Sequence, residues 1–140
     1  MRFMKKPKVP AMKLKKKINV FLWFGGSSKD RGENFAVKFL KKNGYKILCQ
    51  NFNAGFAEID IITEKAGVVS FVEVKQRRGT AFGLPREAVG HEKQRKIRRA
   101  AEYYILKNHL QKTFRFDVIE VYGSCDGTEK PKIIHIKNAF

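Results

Sequence analysis

Between residues 45 and 77 apolar positions cluster in short, β-branched and aromatic runs bounded by turn residues, while the segments on either side repeat at three and four residues. Tyr45 to Phe52 alternates and reads as a strand. A turn at Asn53-Ala54-Gly55 follows, and then the stretch FAEIDIITEKAGVVSFVEVKQR, two β-branched strands joined by a hairpin-like connection at Glu64-Lys65-Ala66-Gly67. Upstream, Ala36, Val37 and Leu40 form an inward helical stripe, and the spacing predicts a helix from Asp30 to Asn43-Gly44, with glycine supplying the left-handed cap. Downstream, Ile97, Ala101, Tyr104 and Ile105 mark a second helix, expected to start at Pro85 and run to about His109. Phe114 to Tyr122 and Lys132 to Ile136 read as two further strands, separated by the polar turn 123–130.

This order predicts the fold class. Three strands with short loops pair antiparallel, whereas a long helix before the fourth lets that strand enter the sheet in parallel. The expectation is an α/β protein with a mixed central β-sheet flanked by helices. With 140 residues, the chain makes one domain over 30–140, preceded by a basic extension over 1–29.

Charge narrows the function. The 30 Lys and Arg against 13 Asp and Glu give a formal +17, which makes polyanions the natural partners. The extension carries nine Lys and Arg and meets no acid before Asp30, and its one apolar run, Val20 to Phe24, falls far short of the about 20 residues a span needs. A membrane-embedded protein is therefore not expected. Three readings stand for the extension, with Phe21, Trp23 and Phe24 lying on a membrane surface, stacking on bases, or folding back onto the domain. Cys49 and Cys125 form no CxxC and match no zinc spacing with His91, His109 and His135, as for reduced thiols in a cytoplasmic protein.

Candidate chemistry lies in the hairpin. Folding about the turn sets Asp60 opposite or diagonal to Glu73, and alternation puts Glu73 and Lys75 on one face with Val74 turned away. Two carboxylates that close, in strands otherwise apolar, call for a cation between them, and magnesium needs only one or two carboxylates before water and phosphate complete its shell. A salt-bridged strand edge is the plainer reading, but Ile59, Ile61, Ile62, Val69, Phe71, Val72 and Val74 mark a sheet covered on both faces. Glu33 shares the stripe of Ala36, Val37 and Leu40 and faces the core, either as a functional acid or as a complement to the helix dipole. Gln94 lies on the side of Ile97 and Ala101, facing either the acids or a structural partner. Arg77 and Arg78 open a basic loop over 76–83, and Arg86, Lys93, Arg95, Lys96, Arg98 and Arg99 crowd the first half of the second helix.

These residues carry a resemblance. The acid on the first helix, Asp60 followed by Glu73-Val74-Lys75, and the element order resemble the PD-(D/E)XK nuclease superfamily and in spacing are similar to archaeal Holliday-junction resolvases. Gly32-Glu33, Glu58-Ile59-Asp60, Phe71-Val72-Glu73-Val74-Lys75, Lys93-Gln94 and Arg115-Phe116-Asp117-Val118 resemble more closely the YraN-like family of bacterial proteins, over about residues 31 to 122. Ala57 stands where that pattern has glycine, and Ile59 where the superfamily has proline. The resemblance implies a restriction-endonuclease-like αβββαβ core, with Glu33, Asp60 and Glu73 as metal ligands, the Val74 carbonyl as a further one, Lys75 beside the attacking water and Gln94 among the active-site residues.

The expectation is a metal-dependent nuclease hydrolysing phosphodiester bonds in DNA, using Mg2+ with Mn2+ as a substitute. Arg77, Arg78, Lys93, Lys96 and Arg99 would bind flanking phosphates. The alternative is a non-catalytic nucleic-acid binder that retains the nuclease fold; a third is a membrane-peripheral protein held by residues 1–24. Resolvase-like spacing implies, by analogy only, branched or junction DNA and a homodimer.

Overall fold

The computed structural model describes residues 28–77, 89–123 and 129–140. Helix α1 (Ser28–Lys42) ends as the sequence predicts. Gly44 adopts φ +82°, its N–H bonds the Lys41 carbonyl at 3.1 Å, and the Tyr45 N–H reaches back to Leu40 at 3.0 Å, a Schellman closure that satisfies the last carbonyls. The chain then turns directly into β1 (Lys46–Asn53).

Strands β2 (Glu58–Lys65) and β3 (Val68–Arg77) form the hairpin. Its turn is tighter than the four-residue connection read from the sequence: Glu64 and Lys65 stay in the ladder, and only Ala66 and Gly67 turn, with φ of 51° and 76°. Two successive positive φ values make the primed turn whose twist matches that of paired strands. Helix α2 (His91–Lys107) follows, then β4 (Thr113–Tyr122) and β5 (Lys132–Ile136). The expected start of α2 at Pro85 is corrected. Val89 and Gly90 are not helical, Gly90 is an extended N-cap, and the first helical bond runs from Gln94 N–H to Gly90 at 2.9 Å.

The five strands lie in the order β1-β2-β3-β4-β5, antiparallel except for the parallel β3–β4 pair. This is the predicted mixed sheet, compatible with a restriction-endonuclease-like core. Its two faces bury separate cores. Ala36, Val37 and Leu40 of α1 pack with Tyr45, Ile61, Val72, Val74, Ile119 and Val121. On the other face Ile97, Ala100 and Ala101 of α2 pack with Ile59, Ile62, Val69, Phe71 and Val118. Coverage on both sides explains the near-continuous apolar runs of β2 and β3. Each fully buried Ile, Val or Phe contributes about 1.5–3 kcal/mol, so the central strands are the stiffest support available for a site.

Gly32 sets the approach of α1 to the end of β3. A Cβ there would sit 3.1 Å from Gln76 Oε1, so any side chain would push the helix or Gln76 aside. The extension over 1–27, the basic loop with Arg78 and Pro85, and Cys125 lie outside the described residues.

Candidate metal and nucleic-acid site

The β2–β3 ladder runs out at Ile61 opposite Val72. The next residue of β2, Asp60, continues the link through its side chain: Oδ2 accepts the Val74 N–H at 2.8 Å. Asp60 is thus fixed to β3 beside Glu73, and both are buried, at 3% and 7% exposure. Burial pushes the Glu73 carboxyl above the usual carboxylate range, and the Asp60 charge pushes it further; Lys93 and Lys75 act against both. Lys93, in the first turn of α2, donates directly to Glu73 Oε1. This pair of acids opens on a cleft of about 590 Å³ whose lining includes Phe56, Glu58, Lys93 and Lys96.

The other predicted residues fall into three groups. Lys75 is half-buried on the Glu73 face, while Val74 buries its side chain in the α1-side core and meets the site through its backbone. Among the described residues Lys75 forms no hydrogen bond or ion pair, so its ammonium is available to a ligand. Lys96 and Arg99 are exposed on α2, with Lys96 at the cleft and Arg99 over the Phe56 ring. Glu33, Gln94 and Arg77 are placed elsewhere. Glu33 is buried on α1 and does not line the cleft. Gln94 donates its amide to the Val89 carbonyl at 2.7 Å, bracing the entry to α2. Arg77 lies 3.6 Å from Glu120.

Two groups escaped the sequence reading. Glu120 is buried at 1% exposure, in register with Lys75 on the parallel neighbour, and accepts the Tyr122 hydroxyl at 2.8 Å. Its signal was an acid between Ile119 and Val121, the same signal that exposed Glu73. On the opposite face, Asp117 is completely buried and receives Arg115 Nε at 2.9 Å, the Asn138 N–H at 3.0 Å and His135 Nε2 at 2.8 Å. Burial acts to raise the Asp117 carboxyl, but the His135, Arg115 and Asn138 hydrogen bonds outweigh it and hold it below the usual range. The spacing of Asp117 and His135 in sequence gives no hint of this network, which depends on the antiparallel β4–β5 register.

The donor set fits a hard divalent cation in part. Two buried carboxylates on neighbouring strands, with Glu73 raised by burial and by the Asp60 charge and only partly offset by Lys93 and Lys75, suit a further cation, and two carboxylates are a usual complement for magnesium. Among the described residues no three His, Cys, Asp or Glu side chains form a metal-holding group, so Asp60 and Glu73 would bind the ion as a pair, with the cleft supplying room for water and phosphate. No described helix is long and apolar enough to cross a membrane.

Sequence comparison supplies the family. The chain is 41% identical over 122 residues to a UPF0102 protein of Persephonella marina, covering 86% of this chain and 97% of that one. It is 46% identical over 110 residues to a UPF0102 protein of Caldicellulosiruptor saccharolyticus, covering 78% and 92%. With a UPF0102 protein of Acetivibrio thermocellus the identity is 48% over 113 residues, 78% of this chain and 87% of the relative. The model of the Uncharacterised protein family UPF0102 matches residues 32–121, a span that starts beside Glu33 and takes in Asp60, Glu73, Lys75, Lys93 and Glu120. The chain belongs to the UPF0102 family, the YraN-like proteins whose motifs it carries.

Proposed function

We propose that this protein is a metal-dependent nuclease that hydrolyses phosphodiester bonds in DNA at the Asp60–Glu73 cleft. The observation that carries the reading is the pairing of two buried carboxylates, one fastened to β3 by its own side chain, at the mouth of a cleft rimmed by Lys93 and Lys96. Asp60 also closes a backbone gap through the Val74 N–H, but that duty needs only an acceptor, whereas two buried carboxylates side by side add a charge that Lys93 and Lys75 offset only in part. When bound by Asp60 and Glu73, magnesium supplies electrostatic activation of the phosphodiester and of water. The chain does the rest. Asp60 is held rigid by the Val74 N–H. Lys75 offers a compact positive charge next to Glu73, suited to orient water or to stabilise charge building on the phosphorane oxygens. Lys96 and Arg99 hold the flanking backbone without reading sequence.

A second reading, a nucleic-acid binder that keeps the fold without the chemistry, draws on one observation: Lys93 already compensates Glu73. The +17 charge serves both readings, so salt dependence does not separate them. The experiment is to incubate the protein with labelled duplex, single-stranded and four-way-junction DNA in magnesium, manganese or chelator, alongside Asp60→Asn and Lys75→Ala. Metal-dependent cutting lost in both variants supports the nuclease. Binding with no cutting of any substrate overturns it in favour of the binder.

A further inference from the structure

The rim of the cleft carries an aromatic ring that the hydrolytic chemistry does not use. Phe56 sits in the β1–β2 turn, 45% exposed, and lines the same cleft as Asp60 and Glu73. The turn is firmly built. The Ala54 N–H bonds the Ala57 carbonyl at 2.9 Å, the Gly55 N–H bonds Asn53 Oδ1 at 2.7 Å, and Gly55 takes φ +89°. The Arg99 guanidinium lies 4.7 Å from the ring centroid. A ring displayed in this way keeps apolar area in water at the cleft rim.

Phe56 stands at the head of a track. Lys93, Lys96, Arg99, Tyr103 and Lys107 are all exposed along one side of α2, where Glu92, paired to Lys96 at 3.3 Å, is the acid among four cations and Tyr103 the exposed ring. Tyr103 is 49% exposed, its ring stacked with Phe52 at a centroid separation of 6.1 Å, and Lys107 Nζ lies 5.9 Å from it. Residues 93 to 107 cover about 21 Å of helix, long enough to follow several nucleotides. A positive groove with stacking platforms is the arrangement that binds single strands, because every base offers a π-face once it leaves the duplex. Paired bases are stacked on one another and offer no free face to a ring on a cleft rim, whereas phosphates alone would call for the cations and not for Phe56.

We propose that Phe56 is a stacking platform for an unpaired DNA base, and that the Lys96–Arg99–Tyr103 face of α2 carries the single strand away from the carboxylate cleft. This inference rests on the nuclease reading for the identity of the cleft and narrows its substrate class to DNA with unpaired nucleotides beside the scissile phosphate, such as a flap, a gap or a branch point.

The test measures binding of the full chain in chelator, so that it does not depend on cutting. Affinities for a single-stranded oligonucleotide and for a blunt duplex of the same length are compared for wild type, Phe56→Ala, Phe56→Leu and Phe56→Tyr. The expected result is that Phe56→Ala and Phe56→Leu both lower the ratio of single-strand to duplex affinity by roughly 5- to 150-fold, the range of one base–aromatic stack, while Phe56→Tyr keeps it. The leucine variant retains the apolar contact and so separates stacking from folding. An unchanged ratio in Phe56→Ala, or a tyrosine variant as poor as alanine, overturns the platform. If the ratio falls as expected and no substrate is cut in magnesium, the nuclease reading fails and the single-strand site stands.

Discussion

Asp60 Oδ2 accepts the Val74 N–H at 2.8 Å at the point where the β2–β3 ladder stops. The carboxylate therefore has two duties, closing a backbone gap and presenting negative charge to the cleft. The two can be separated by substitution. Asp60→Asn keeps an oxygen that accepts the Val74 N–H, and is expected to remain folded, to bind DNA as well as wild type or better, and to cut nothing. Asp60→Ala leaves that buried N–H unsatisfied and should cost about 1–3 kcal/mol of stability in addition. Denaturant unfolding of the two variants, set beside the cleavage assay, checks both halves.

The Glu73 carboxyl is raised by burial and by Asp60, so its ionised form opposes folding. A group of this kind favours the folded state most fully below the ordinary Glu value of about 4.3, and that contribution is lost as pH rises through the raised value. At neutral pH without metal, Glu73→Gln should accordingly melt higher than wild type, and its advantage should shrink on acidification. Divalent metal should reverse the order. An ion held by Asp60 and Glu73 stabilises the wild type, by about 2.7 kcal/mol at a hundredfold excess over its dissociation constant, and leaves the glutamine variant far less changed. Melting curves with magnesium, manganese and chelator supply the comparison.

Most of the fold was legible because local rules and tertiary context agree. The β-branched apolar runs of β2 and β3, the glycine cap after α1 and the long connection before β4 each have one natural outcome, and each is found. The start of α2 was missed because Pro85 suits a first helical turn, yet the helix waits until His91, where Gln94 bonds back to Val89 and Gly90. Asp60 and Glu73 announced themselves as acids within apolar strands. Glu120 bore the same mark, but its relation to Lys75 exists only through parallel pairing across a helical crossover. Asp117 and His135 meet through strand register, and Phe56 gains meaning from Arg99, far away in sequence. Residue types are visible one at a time; juxtapositions built by long-range pairing are not.

Ala66 carries a cost that a single change should relieve. It holds φ 51° in the two-residue hairpin turn, a conformation in which a Cβ is unfavourable and in which asparagine or glycine is usual. Ala66→Asn is expected to stabilise the protein by about 0.5–1 kcal/mol, since the turn lies at the far end of the hairpin from the acids and its side chain is exposed. Chemical denaturation gives the stability, and unchanged DNA affinity would show that the effect stays local.

Asp117 sets the acid limit of stability. Its carboxyl lies below the usual range despite complete burial, because His135, Arg115 and the Asn138 N–H bond its charged form. A depressed value means stability that is present above the ordinary Asp value of about 3.9 and is lost as pH falls through the folded-state value. The network ties β4 to β5 and to the C-terminal residues, and through Arg115 it reaches the Tyr45 hydroxyl at 3.3 Å next to the cap of α1. Removing one partner of a buried, hydrogen-bonded charge group is strongly destabilising, so Asp117→Ala should lose about 3–5 kcal/mol at pH 7. Asp117→Asn retains the shape and should lose less, and its deficit against wild type should narrow as pH falls from about 3.9 through the lower folded-state value. Denaturant midpoints measured from pH 7 down to the acid transition test this, and a deficit that is constant across that range would show that Asp117 contributes packing and not charge.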